Sequence, residues 1–233
     1  MQSFFRAVYI DNHTHLHGII DKKDNILQVF AIDSTDLIGV DSISAIIEAG
    51  HQCTLGLHPR NIQELDFDEF RDIVESHADS LLAIGECGLD TFVSIDKQEQ
   101  ITAFKMQAYL AEELEKPLII HCVRSYSEII RLHREIQPKK PWIIHGFNRN
   151  RDIAESLLEQ GIILSIGNEL MKVDHPLSSF VSHMKEIPFL LETDGKDIEI
   201  DQIYQRCAIL LGLDIAQLKK SIAKHFKQIY GTN

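Results

Sequence analysis

The sequence predicts an α/β fold, a (β/α)8 TIM barrel of parallel strands with a metal site at its C-terminal rim. Three observations predict it. Eight short apolar runs each stop at a polar residue, the ends of successive runs lie 20 to 35 residues apart, and histidines or carboxylates occupy most of those ends. Continuous runs of Ile, Leu and Val are what strands buried on both faces look like. An open doubly wound sheet gathers its functional groups at one switch point, whereas a barrel draws them from the ends of many strands.

In order, the runs are AVYI ahead of Asp11, ILQVFAI ahead of Asp33, CTLGL ahead of His58, LLAIG ahead of Glu86, PLIIH ending at His121, PWIIH ending at His145, GIILS ending at Ser165, and PFLLETD ending at Asp194. The spacing leaves room each time for a loop, a helix and a return. The helical pattern is clearest over residues 97–115, where Ile101, Phe104, Ala108, Leu110 and Ala111 fall mostly on one face, and over 151–160, with Gly161 as its cap. Pro117 and Pro141 each open a strand, where a missing amide donor is tolerated. No linker or low-complexity tract interrupts the chain, so residues 1–233 read as a single barrel domain.

Composition narrows the class. With 44% hydrophobic and 25% charged residues the chain matches a soluble globular protein, which excludes disordered and fibrous readings. A net charge of -12 leaves no basic face for broad duplex-DNA binding, although metal ions and a few arginines suffice for a short single strand or a nucleotide end. Cys53, Cys87, Cys122 and Cys207 show no CxxC spacing, which points to reduced thiols in the cytoplasm. The N-terminus runs straight into a polar motif without a signal-peptide pattern, and no apolar run is long enough to cross a membrane.

His13 and His15 stand two apart, so on a strand both imidazoles point the same way. Glu86, His121, His145 and Asp194 sit at corresponding ends of the fourth, fifth, sixth and eighth runs, and a barrel brings all these ends into one ring. Four imidazoles and two carboxylates exceed what one ion with an open position needs, so two divalent ions are expected, with Glu86 as their bridge. The histidines suit Zn, while the carboxylates leave Mn or Mg open. Such a pair lowers the pKa of a shared water to about 7 and offsets charge on the attacked group, which suits hydrolysis. Glu86 and Asp194 are therefore the catalytic candidates, Asp194 ligating one ion and orienting or deprotonating the water. His58 and Arg60 in GLHPR, with Arg124 just past His121, are candidate substrate contacts; Asp90 and Glu192 are placed to orient ligand imidazoles. Cys87 and Cys122 have the opposite parity and should face the helices.

The motifs DNHTHLH, GLHPR, IGECGLD, IIHC, IIHGF and LLETD, in this order and spacing over nearly the whole chain, resemble the TatD-type metal-dependent deoxyribonucleases. The resemblance implies an amidohydrolase-like barrel binding two or more divalent ions and cleaving phosphodiester bonds, often at the 3′ end of DNA. Carried over position by position, it puts the ligands at His13, His15, Glu86, His121, His145 and Asp194. Val123 stands where an arginine is usual, GKDIEIDQIY replaces a longer loop rich in Pro, Arg and Asn after the last aspartate, and His225 replaces an asparagine. The expectation is a divalent-metal deoxyribonuclease or phosphodiesterase acting on single-stranded DNA or a nucleotide end. Two alternatives stand beside it: a metal-dependent lactonase, esterase or amidase, because one fold hosts many chemistries, and a metal-stabilised subunit that binds a partner.

Overall fold

Eight strands follow one another in chain order through a single parallel sheet: β1 (Tyr9–His15), β2 (Ile26–Asp33), β3 (Gln52–Gly56), β4 (Leu81–Asp90), β5 (Leu118–Val123), β6 (Trp142–Ile144), β7 (Ile163–Ile166) and β8 (Phe189–Leu191). Two short helices, α1 (Leu37–Asp41) and α2 (Ile43–Glu48), precede β3; α3 (Phe67–His77), α4 (Lys97–Glu113), α5 (Tyr126–Ile136), α6 (Arg151–Leu158) and α7 (Pro176–Val181) alternate with the later strands; α8 (Ile200–Leu211) and α9 (Ile215–Tyr230) complete the order. These elements belong to a computed structural model that describes residues 8–16, 25–172 and 174–231. The stretch ahead of Val8, read above for a targeting signal, and His17 of the first motif lie outside the described residues. Among the described residues no helix is long and apolar enough to cross a membrane.

The sheet closes into a nearly complete barrel, as the sequence predicts, but the seam between β8 and β1 is made largely by side chains. Asp194 donates its N–H to the His13 carbonyl at 2.9 Å. Thr193 donates its N–H and its hydroxyl to the two oxygens of Asp11, at 2.8 and 2.7 Å. The Tyr204 hydroxyl, brought in by α8, accepts from Ile10 N–H at 3.1 Å and donates to Ile10 C=O at 3.2 Å, pairing backbone groups that the short β8 leaves unmatched. Asp11 is 2% exposed, and this burial raises its carboxyl to about 7 in spite of the Thr193 bonds.

Of the connection from β1 to β2 only Leu16 and Asn25 are described, so the helix expected there lies outside the described residues. Two boundaries differ from the sequence reading, each for a physical reason. β4 does not stop at Glu86 but continues to Asp90, buried throughout, because β5 covers it up to Val123. β8 ends at Leu191, so Glu192, Thr193 and Asp194 form the loop at its mouth.

The long α4 shows how helices fix the rim. The Asp96 carboxylate caps it by accepting from Gln98 and Glu99 N–H, and Ile101, Phe104, Ala108, Leu110 and Ala111 are all buried, as their spacing predicts. Two buried glutamines share that face. Gln107 accepts from Leu57 N–H at 2.8 Å and donates to Leu57 C=O at 2.9 Å; Gln100 accepts from Asp90 N–H at 2.8 Å and donates to Asp90 C=O at 3.2 Å. One helix thereby clamps the chain beside His58 and at Asp90, the end of β4.

Candidate metal centre

Seven of the singled-out side chains converge where β1, β3, β4, β5, β6 and β8 open at one rim, and Glu86 lies at their middle. Its Oε1 stands 2.7 Å from His121 Nδ1, 2.7 Å from His145 Nε2 and 3.5 Å from His58 Nε2. Its Oε2 stands 3.3 Å from His13 Nε2 and 4.0 Å from His15 Nε2. Asp194 Oδ1 is 3.4 Å from His15 Nε2 and 3.9 Å from His13 Nε2. One carboxylate thus faces two groups of imidazoles with its two oxygens.

Close backbone approach makes this possible. A Cβ on Gly88 would lie 1.9 Å from the His121 carbonyl oxygen, so only glycine lets β4 and β5 run this near each other beside Glu86. Asp194 adopts a left-handed conformation, φ 56, which costs a residue with a Cβ on the order of 1 kcal/mol and which Asp and Asn bear best.

The electrostatics follow from crowding charge into a buried place. Burial opposes ionisation of Glu86, yet the surrounding imidazoles, His145 foremost, override it and hold the carboxyl well below its ordinary value. Burial likewise opposes a charged His145, and Glu86 overrides it, raising that imidazole well above its usual range. His15 is raised by its hydrogen bond to Asp194, whereas burial lowers His13 and brings His58 down to about 4. Asp194 is held low by His15 and the neighbouring imidazoles against the effect of burial. Its other oxygen, Oδ2, pairs with Lys196 Nζ at 2.8 Å.

The donor set fits divalent cations. His13, His15 and Asp194 form one set of ligand atoms within 4.8 Å of one another; His13, Glu86 and His145 form a second, and His58, Glu86 and His121 a third. A transition-metal ion held at about 2.0–2.1 Å spaces tetrahedral ligand atoms about 3.3 Å apart, and the separations found here bracket that figure. His13 Nε2 and His145 Nδ1 are buried without a well-formed hydrogen bond, an arrangement costly unless something else satisfies these nitrogens.

The remaining expected residues fall as follows. Asp90 Oδ2 lies 3.2 Å from His121 Nε2. Glu192, 0% exposed, accepts from Gly146 N–H and the Ser165 hydroxyl, and its Oε1 is 3.6 Å from His145 Nδ1, beyond hydrogen-bond reach. Arg60 is exposed, with its N–H donated to His58 Nδ1. Arg124 is exposed with its guanidinium over the Phe92 ring. Cys87 and Cys122 are buried against neighbouring elements. The sequence reading assigned His58 to substrate; the structure turns it toward Glu86 and His121, and the common signal was that it too follows an apolar run. Lys196 went unnoticed, since a lysine after a strand end reads as an ordinary surface residue.

A barrel with imidazoles and carboxylates gathered at one rim is the make-up of a metal-dependent hydrolase. The profile of the TatD related DNase family matches residues 10–231, so the chain belongs to that family. Over 201 residues it is 27% identical to the 3′-5′ ssDNA/RNA exonuclease TatD of Erwinia tasmaniensis, covering 76% of this chain and 77% of the relative. It is 23% identical to an uncharacterized metal-dependent hydrolase of Haemophilus influenzae over 216 residues, 82% of each chain. The crystal structure of YJJV, a TatD homolog from Escherichia coli K12, superposes with a TM-score of 0.84 at 15% identity, covering 98% of this chain and all of that one.

Proposed function

We propose that the chain is a phosphodiesterase that shortens single-stranded nucleic acid from an end, using two divalent ions shared by Glu86. The observation that carries this reading is the division of the Glu86 carboxylate between two imidazole groups, with Oε1 toward His121 and His145 and Oε2 toward His13 and His15. In this reading His121 and His145, with His58 nearby, would hold one ion, and His13, His15 and Asp194 would hold the other. Divalent ions so held supply Lewis acidity, acidifying water and offsetting phosphate charge.

The protein does the rest. A cleft of about 310 Å³ opens beside His15, floored by Asp11, Thr14 and Thr193 and flanked by Lys196. Asp194 Oδ1 orients the attacking water by accepting its hydrogen bond, and Lys196 meets a non-bridging phosphate oxygen from the cleft side. Asp90 keeps the His121 ring from turning, and Glu192 holds the backbone next to His145 by accepting from Gly146 N–H. The net charge of -12 disfavours a long duplex and leaves recognition to these few cations. Four buried free cysteines fit a reducing compartment, and we place the protein in the cytoplasm.

The test uses 5′-labelled single-stranded DNA with Mg, Mn or Zn. The wild type should give a ladder shortened from the 3′ end, and Glu86→Ala should lose at least about 1,000-fold in rate, comparable to removing a transition-state electrostatic group. No cleavage with any ion, or undiminished cleavage in the variant, contradicts the reading.

A further inference from the structure

Three arginines of the outer wall are held by carboxylates, Arg71 by Glu75 and Glu113, Arg131 by Glu128 and Glu135, Arg151 by Glu155, and two more by neutral acceptors, Arg134 by the Gln160 side chain and Arg206 by the Leu170 carbonyl. Two arginines on the rim differ. Arg124, three residues past His121, and Arg149, four past His145, form no ion pair among the described residues. Each instead lies on an aromatic ring: Arg124 4.7 Å from the Phe92 centroid and Arg149 5.8 Å from that of Tyr126. Both line one open cleft of about 370 Å³, together with Tyr126, Ser127 and Ile153.

The supports beneath them are fixed. Phe92, 71% exposed, donates its N–H to Asp90 Oδ1 at 2.8 Å, and Asp90 is clamped in turn by Gln100 of α4. Tyr126 is 8% exposed and packs edge-on against the buried Phe147 ring. Contact with a ring holds a guanidinium in place, and although Tyr126 takes one hydrogen bond from Arg149, the remaining N–H donors of each guanidinium can grip a phosphate bidentately. An acidic chain that keeps two unpaired guanidiniums in one cleft beside its catalytic rim has placed them for an anion.

We propose that Arg124 and Arg149 form a second phosphate subsite, which holds a phosphate of the single strand other than the one being cleaved. This rests on the nuclease reading for the identity of the strand, but its binding test does not need turnover. His121 near the end of β5 and His145 just past β6 lead within three or four residues to these arginines, so a strand lying across the rim would meet the ions first and the arginine cleft next. The subsite favours a chain of nucleotides over a lone phosphodiester and aligns the end for successive cleavage.

The experiment measures fluorescence anisotropy of a labelled short single-stranded DNA with metal-free protein, where no cleavage interferes, from low to moderate salt. Arg124→Ala and Arg149→Ala should each weaken binding about tenfold and lower the magnitude of the log–log salt slope by about 0.7 per arginine. Arg149→Lys should restore the slope but only part of the affinity, since it keeps charge without the fork; Arg71→Ala on the outer wall should bind as wild type. Unchanged affinity and slope in the double variant, or a wild type that does not bind, overturns the subsite. With metal-loaded protein, the double variant should lose at least about tenfold more rate on the oligonucleotide than on bis(p-nitrophenyl) phosphate, and equal losses overturn it. A wild type that binds the strand but never cuts it leaves the subsite standing and removes the nuclease reading.

Discussion

Glu86 is ionised, buried and surrounded by imidazoles that share its charge, so in the metal-free protein protons occupy the place of cations. His145 and His15 are both raised, the first by Glu86 against its burial and the second by Asp194. A raised imidazole keeps its proton at and somewhat above the ordinary value of about 6.5, and an entering ion must displace it. Metal affinity should therefore rise with pH through the ordinary imidazole range and beyond it, levelling off only once the raised imidazoles have lost their protons. Calorimetry in buffers of different ionisation enthalpy should record protons released on uptake; proton-neutral binding with no pH dependence would contradict this charge arrangement. At this scale the sequence is most informative, because a metal ligand must be one of a few residue types. His13, His15, Glu86, His121, His145 and Asp194 are recognisable from their places after apolar runs. The role of His58 was less so, since nothing in GLHPR says whether the ring turns toward Glu86 or toward solvent.

Elements position those residues through contacts that sequence patterns hide. The apolar stripe of α4 is legible, but Gln100 and Gln107 look like ordinary helix polar residues until they are found bonded to Asp90 and Leu57. Replacing Gln107 by Leu leaves two buried backbone groups of Leu57 unpaired, at about 1–3 kcal/mol each. Urea unfolding should show a loss of about 2–4 kcal/mol, and a change within experimental error would mean that water or movement replaces the clamp. The extension of β4 through ECGLD was equally hidden, because glycines and carboxylates do not read as strand. Gly88→Ala should cost about 1–3 kcal/mol by overpacking and, by pushing the His121 backbone away, weaken metal binding at least about tenfold. If metal affinity is kept while stability falls, β5 has moved without carrying the imidazole.

For the whole molecule, the number, order and direction of the strands follow from the repeated apolar runs and the intervals between them. Closure does not, since it depends on Tyr204, Thr193 and Asp11 meeting across 180 or more residues of chain. The tyrosine hydroxyl satisfies both backbone groups of Ile10, so Tyr204→Phe should destabilise the barrel by about 2–4 kcal/mol, through two buried groups left unpaired. Thermal unfolding of the metal-loaded and metal-free variant should show the loss in both forms, because the seam is independent of the ions.

The central claim is that one carboxylate serves two ions, and counting ions tests it most directly. Protein stripped of metal, reloaded with Zn or Mn and analysed by mass spectrometry should hold two ions per chain, with single-strand cleavage appearing as the second binds. Glu86→Gln should lower the count to one or none. Full activity with one ion per chain, or an unaltered count of two in Glu86→Gln, would contradict the account.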